Sequence, residues 1–465
     1  MRSTTALLAS LVALVTTTHT HADPEPGWTL YSGLASRNTS LIDLDGNVVQ
    51  TWSGTFSPGV SVYLVGGGSI LRPANDPSLP GPSGGGVGGR IQQIAWDGTM
   101  EWDYVLGTSD LRQHHDIRLL PNGNVLAIAW EVRTRAEAIA MGRDPAGLGS
   151  EVWSEAILEI RPTGLTTGEV VWAWHAWDHL VQNFDPDLPN FGEPSDHPER
   201  IDINFTPNGT DPDWLHFNGL DFNEELDQII MSCHAFDELW IISRAPDSDG
   251  DLLYRWGNPR AYGMGTIADQ KFFNQHNTRW IAPGLPGEGN ILVYNNGNGR
   301  PGGSFSSVEE LVPPVNPDGT YTRASGEPFG PDAPDWICDN AGGAMFYSSF
   351  ISGAQRLPNG NTLVCVGATG RFLELTPDCD IDWEFNEGGA QFRATRIGIR
   401  DRRLADLLFC APDLAEPYGQ LDLFDFLAFQ NAFDAGDLAA DFDDDGELTF
   451  FDLLAFQNAF STGCP

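Results

Sequence analysis

Lysine is nearly absent from this chain. Lys271 is the only one in 465 residues, and Lys and Arg together number 25 against 64 Asp and Glu, a formal net charge of −39. Phosphate backbones and anionic lipid headgroups repel so acidic a chain, so neither nucleic acid nor a membrane surface is expected as a partner. The single lysine follows Gln270, so the chain has no Gly-x-x-x-x-Gly-Lys-Ser/Thr loop, and the glycine-rich stretch 84–89 reads as a flexible loop. No nucleotide cofactor is expected. Long apolar runs are also missing. The run Ala6–Val15 is too short to span a bilayer, and no later stretch is long enough. Arg2 before that run and Thr20-His21-Ala22 after it read as a signal peptide, residues 1–22. The mature protein is therefore expected to be exported: periplasmic, cell-surface or secreted.

Cysteine is sparse but even in number: Cys233, Cys338, Cys365, Cys379, Cys410 and Cys464. In an exported protein that count permits three disulfides. Cys410–Cys464 is expected because the two bracket a C-terminal module, and Cys365–Cys379 because they lie on neighbouring strands. Cys233 and Cys338 have no evident partner.

What is abundant is punctuation: 52 Gly, 32 Pro and 15 Trp. The chain repeats a hairpin signal, Leu-Pro-Asn-Gly-Asn followed by aliphatics, at Leu120–Asn124 and Leu357–Asn361. Looser copies stand at Val65–Ser69, Asn223–Asp227 and Pro286–Asn290. Asn-Gly between apolar runs favours a tight β-hairpin. A second signal, alternation with a polar turn and then tryptophan, recurs at Leu41–Trp52, Ile91–Trp102, Ile157–Trp172 and Phe372–Trp383. Two hairpins per unit make the four-stranded blade of a propeller. A sixth blade would join strands near Leu41–Trp52 to a last strand near Ala394–Ile399, closing the ring without a free edge. The expected fold is all-β: a six-bladed β-propeller over residues 23–400, against a rival of two β-sandwiches.

Three units open their first strand with a histidine: His115, His216 and His276. Val60 and Ser352 hold the equivalent place in two others. First strands line the axis of a propeller, so these imidazoles should converge at one mouth of the channel. His234 follows in the same unit as His216, and Arg118 and Arg279 share a phase three residues after their histidines. Imidazole serves as nucleophile, acid or cation near neutral pH. Moving a sulfuryl group needs all three, because its oxygens stay negative and a phenoxide must leave. His175 and His179, spaced i, i+4, lack the glutamate of a His-Glu-x-x-His zinc site. With Trp174 and Trp177 they read as packing or as a wall for a phenol-sized ring.

His114-His115-Asp116, Trp174-His175-Ala176-Trp177-Asp178-His179-Leu180, Asp213-Trp214-Leu215-His216-Phe217-Asn218 and Gln275-His276-Asn277 together resemble the bacterial arylsulfotransferases. The resemblance runs from about Leu41 to Phe385. It implies a six-bladed propeller that moves a sulfuryl group from an aryl sulfate to a phenolic acceptor without a nucleotide donor, by a ping-pong route through a sulfohistidine. His276 matches the nucleophile of that family, with His216, His115 and His234 as further catalytic residues. Arg279, Arg118, His114 and His179 are the expected substrate contacts. Members of the family carry an arginine in a Ser-Ser-Arg-His segment; here Met231-Ser232-Cys233-His234 puts a cysteine in its place. A non-catalytic propeller that binds aromatic or sulfated ligands in an anchored extracellular complex is the alternative.

No lysine or arginine follows Arg403. Leu421–Phe433 recurs as Leu448–Phe460, and each copy has apolar residues at helical spacing. Ahead of the second copy, Asp441, Asp443, Asp445, Glu447 and Asp452 surround Gly446 with the ligand spacing of a calcium loop. In the first copy Ala415 and Pro417 replace expected ligands. Residues 410–465 are thus expected to form a small α-helical calcium-binding module. It resembles dockerins, which implies attachment to an anchoring protein.

Overall fold

The computed structural model describes residues 23–463 apart from 210, 247, 406, 416–419, 444 and 445. The expected signal peptide, Asp445 and Cys464 lie outside the described residues. The strands form six four-stranded antiparallel units arranged as a six-bladed β-propeller.

Each looser or stricter hairpin signal joins the first and second strands of a blade. In blade 2, Leu111–Leu119 turns through Leu120–Asn124 into Val125–Thr134. Blade 3 begins with Phe217–Asn223, blade 4 with His276–Trp280 and blade 5 with Gly353–Arg356. In blade 1 the first strand is broken into Ser57–Pro58 and Tyr63–Leu64. Blade 6 closes the ring as expected: the late strand Gln391–Gly398 pairs with Gly27–Gly33, which continues to Asn38–Ile42 and Val48–Ser53. The first and last strands of the propeller thereby share one sheet, which closes the ring without a free edge.

Apolar alternation on the two faces of each blade fills the gaps between blades. Ile128 and Leu126 of blade 2 meet Leu220, Met231 and Trp240 of blade 3 in one cluster. Similar clusters lie at the other five seams. Near the axis, first strands are stitched by side chains to the next backbone. Asp116 Oδ2 accepts from the Leu220 amide at 3.0 Å, Asp221 Oδ2 from the Trp280 amide at 3.1 Å, and Asn277 Oδ1 from the Ala354 amide at 3.0 Å. A buried carboxylate that takes backbone N–H groups both satisfies them and sets the rotation between blades.

Between blades 2 and 3 the chain makes an excursion that the repeat pattern does not announce. It includes a short parallel pair, Leu180–Val181 with Ile201–Asp202.

The cysteines pair differently from expectation. Cys379 bonds to Cys338, not to Cys365. Cys379 sits in the turn after the strand Arg371–Leu375 of blade 5, within reach of Cys338 on the outer strand of blade 4. Cys365 faces the seam between blades 5 and 6 and, like Cys233, is a buried free thiol. Cys410 is disulfide-bonded.

After the propeller come two helices, Leu423–Ala435 and Phe450–Thr462. Both start with a capping box: Asp422 with Asp425, and Thr449 with Asp452. Phe429 stacks on Phe456 with ring centroids 4.3 Å apart, so the duplicated helices pack face to face. Among the described residues no helix is long and apolar enough to cross a membrane.

Candidate active site

In five of the six blades the chain enters the channel through a left-handed residue. His115 has φ 48°, His216 φ 52°, Asn277 φ 53°, Ser352 φ 95° and Val60 φ 89°. The ladders of blades 2, 3 and 4 shift register at the same place. Non-glycine residues with positive φ cost energy and gather where a side chain must be aimed. Here the kink turns the start of each first strand toward the axis.

The imidazoles converge. Ring centroids are 5.1 Å apart for His114 and His115, 4.8 Å for His115 and His216, 5.0 Å for His216 and His234, and 5.2 Å for His234 and His276. His234 follows directly after the strand Gln228–Cys233. The Phe392 ring lies beneath, 6.0 Å from His115 and 6.5 Å from His276. Above, the glycine-rich stretch is no free loop. Its Gly86 carbonyl accepts from the His115 amide at 2.7 Å, and a side chain on Gly86 would start 2.3 Å from the His115 ring.

The tautomer of His276 can be read from its neighbours. Asn296 donates both amide hydrogens, to the carbonyls of Ser348 at 2.8 Å and Ile351 at 2.9 Å. Its Oδ1 is therefore an acceptor, and it stands 2.7 Å from His276 Nδ1. Nδ1 carries the proton, and Nε2 holds the lone pair. The Ile351 amide donates to that lone pair at 3.2 Å. Burial pushes the His276 pKa down to about 3, against the support of Asn296. The ring is thus neutral near pH 7.

His216 is oriented by Asp213, whose Oδ2 is 2.5 Å from Nδ1 and whose Oδ1 accepts from the Trp130 indole at 3.0 Å. A second relay runs from Glu155 to His114 Nε2 at 2.8 Å, and from His114 Nδ1 to His115 Nδ1 at 2.8 Å. Burial holds both imidazoles well below their usual range and pushes Glu155 well above the usual carboxylate range. A proton on Glu155 would make the chain of bonds end in an Nε2–H on His115. When that proton leaves, each bond reverses and His115 Nε2 becomes an acceptor. The ring nitrogens of His234 make no hydrogen bond among the described residues, and burial lowers its pKa well below the usual range.

Other expected residues lie elsewhere. Cys233 points into the seam between blades 2 and 3 and donates its thiol to the Leu215 carbonyl at 3.3 Å, so this position offers the imidazoles no polar group. His179 stacks on Trp174 and bonds Asp251 at 2.9 Å, while His175 stands in ion-pair range of Glu131 at 3.0 Å; the two are not brought together. Arg118 and Arg279 face the other end of the channel, where Arg118 pairs with Asp221 at 3.1 Å. Between them and the histidines lies a layer that the sequence does not announce: Arg393 pairs with Asp116 at 2.7 Å, and Tyr63 donates to Asp116 at 2.7 Å. Glu155, Asn296, Phe392 and Arg393 carried no motif, since each reaches the site from outside the repeated hairpins. Asp213 was visible, three residues before His216.

The fold and this cluster define a β-propeller with a histidine-lined channel mouth. A family model described as Arylsulfotransferase (ASST) matches residues 86–323, which contain all five imidazoles, and the chain belongs to that family. Membership supports aryl sulfotransfer at the level of the family. No curated protein sequence matches it. Among solved structures it is similar to a protein of unknown function from Bacteroides caccae, at 13% identity over 79% of this chain and 98% of that one, with TM-score 0.45. It is also similar to the periplasmic gluconolactonase PpgL of Pseudomonas aeruginosa, at 12% identity over 80% and 96%, TM-score 0.40. A third is virginiamycin B lyase of Staphylococcus aureus, at 12% identity over 79% and 86%, TM-score 0.36.

Proposed function

We propose that this protein transfers a sulfuryl group from an aryl sulfate to a phenol by way of a sulfohistidine on His276. The observation that carries the reading is a neutral His276 with its lone pair on Nε2, beside a group of further imidazoles; the Ile351 amide that holds this lone pair at 3.2 Å must release it before attack. In the first half-reaction Nε2 attacks sulfur, the S–O bond to the aryl group breaks, and the oxygen leaves with the electron pair. Charge grows on the His276 ring as the N–S bond forms, and the Asn296 carbonyl supports it through Nδ1–H. His216, with Asp213 as counter-ion, gives a proton to the leaving phenoxide. In the second half-reaction neutral His216 takes the proton from the incoming phenol, whose oxygen attacks sulfur while the N–S bond breaks. With no guanidinium at position 233, sulfuryl oxygens rely on N–H donors: the Ile351 amide once Nε2 bonds sulfur and releases it, His115 through its relay, and His234.

The test is transfer from p-nitrophenyl sulfate to phenol, with mass spectrometry of the peptide that holds His276 after exposure to donor alone. We expect acceptor-dependent nitrophenolate release and a labile adduct of about 80 Da on His276, both lost in His276→Asn. Saturable binding without turnover would instead favour the non-catalytic propeller.

The C-terminal module is proposed to hold one calcium ion and to anchor the protein. Carboxylate oxygens of Asp441, Asp443 and Asp452 lie within 4.8 Å of one another. Asp441 Oδ1 is buried with no hydrogen-bond partner, and an all-oxygen set suits calcium. Asp445 and Glu447 would complete the loop. In the first copy Asp425 accepts from the Leu414 and Ala415 amides as Asp452 does from those of Phe442 and Asp443, but Ala415 offers no ligand. Leu423, Phe424 and Leu427 are exposed, and so are their repeats Phe450, Phe451 and Leu454. Such a duplicated apolar face supports docking to an anchoring protein. The Cys338–Cys379 disulfide supports export.

A further inference from the structure

The channel has a second mouth, at the hairpin ends of the first strands. Three residues of extended chain, about 10 Å, separate His115 from Arg118 and His276 from Arg279. The layer of Tyr63, Asp116 and Arg393 closes the space between, with Arg393 also donating to the Tyr63 oxygen at 3.0 Å. Below it opens a cavity of about 330 Å³ lined by Arg118, Asp221, Arg279, Trp280, Leu292 and Arg356. That volume is within the range of small-molecule sites.

The charges in it do not cancel. Asp221 is used twice, by Arg118 at 3.1 Å and by the Trp280 amide at 3.1 Å. Arg356 pairs with Glu310 at 2.6 Å, yet its Nε is buried without an acceptor. The neighbouring Gln355 offers nothing, because its amide is held by the Arg396 backbone on both sides. The Arg279 side chain makes no hydrogen bond or ion pair among the described residues. Glu224, Glu225 and Glu288 stand exposed at the rim, where solvent screens them. One half-buried guanidinium of the cavity, that of Arg279, is thus left without a hydrogen-bonded partner and shares the charge of Asp221 with Arg118, next to an indole and aliphatic wall. A planar oxyanion is the partner that fits an unbonded guanidinium fork, and the buried Nε of Arg356 lacks one as well.

We propose that this cavity is a second binding site, for an aromatic monoanion whose carboxylate, sulfonate or sulfate meets Arg279 and Arg356 while its ring lies against Trp280. The site does not touch the histidines and does not depend on transfer through His276.

Titration of the full protein with benzenesulfonate, followed by calorimetry, tests it. Binding at this site should persist in His276→Asn and weaken tenfold or more (about 1.4 kcal/mol) in Arg279→Gln. Arg279→Lys should keep part of it, which guards against misfolding of the glutamine variant, and neutral benzenesulfonamide should not compete. The proposal is overturned if Arg279→Gln binds benzenesulfonate as the wild type does. It is equally overturned if binding disappears in His276→Asn, which would put the anion among the imidazoles, or if the wild type does not bind at all.

Discussion

At the scale of the residue, the site turns on how one nitrogen is kept available. Asn296 holds the Nδ1 proton of His276, and no other side chain bonds that nitrogen. Asn296→Leu would leave the buried Nδ1–H with only the longer bond to the Asn274 carbonyl at 3.2 Å and so weaken the hold on the tautomer. The expected outcome is a fall in kcat of about tenfold to a hundredfold, with KM for the aryl sulfate little changed; steady-state kinetics would check it. Burial of neutral His276 also has a consequence for stability. In the unfolded chain this imidazole protonates near its ordinary value of 6.5, and in the folded protein at about 3. Between those values the unfolded chain binds more protons, so this residue's contribution falls as pH drops below about 6.5. Wild type should therefore lose about 1 kcal/mol relative to His276→Asn on going from about pH 7.5 to about pH 5.5. Urea unfolding of the two proteins at both pH values measures the difference.

At the scale of the element, the glycine-rich stretch acts as the roof of the site. Gly86 adopts φ 73°, which suits glycine, and its missing side chain makes room for the His115 ring. Gly86→Ala adds strain and pushes that ring away from His216. A stability loss of about 1–2 kcal/mol and a fall of at least about tenfold in kcat are expected. The same substitution at Gly98, a turn where an added side chain meets no neighbour, should leave kcat unchanged. Equal kcat in both variants would remove the roof from the mechanism.

At the scale of the whole molecule, two parts depend on different forces. Six apolar seams and a shared closing sheet hold the propeller, whereas the C-terminal pair of helices has a small core around Phe429, Ala440 and Phe456. So small a core is expected to need its metal. Calcium should raise the unfolding temperature of the module within the full chain, a chelator should lower it, and Asp441→Ala should abolish the response. Calorimetric traces that are superimposable with and without chelator would count against the ion.

How much of this was legible in the sequence follows from which interactions are local. Asn-Gly turns, alternation and tryptophan-terminated hairpins are local, and they carried the blade count and the closing of the ring. The repeat phase carried His115, His216 and His276 to one mouth, because equivalent strand positions occupy equivalent places around an axis. What the phase did not carry is depth: Arg118 and Arg279 share the histidines' strands but face the opposite mouth, since three residues of strand span most of the channel. The partners that give the imidazoles their chemistry come from elsewhere. Glu155 arrives from a third strand, Asn296 from just beyond a second strand, and Phe392 from a strand far along the chain that closes the ring. Cys379 likewise found Cys338 across a seam and not Cys365 one strand away. The sequence by itself determined the kinds of element, their repeat and the residues able to do chemistry. Only the tertiary structure decided which nitrogen is free, which charge is left unpaired and which cysteines meet, because those depend on distances between segments whose separation along the chain says nothing of their separation in space.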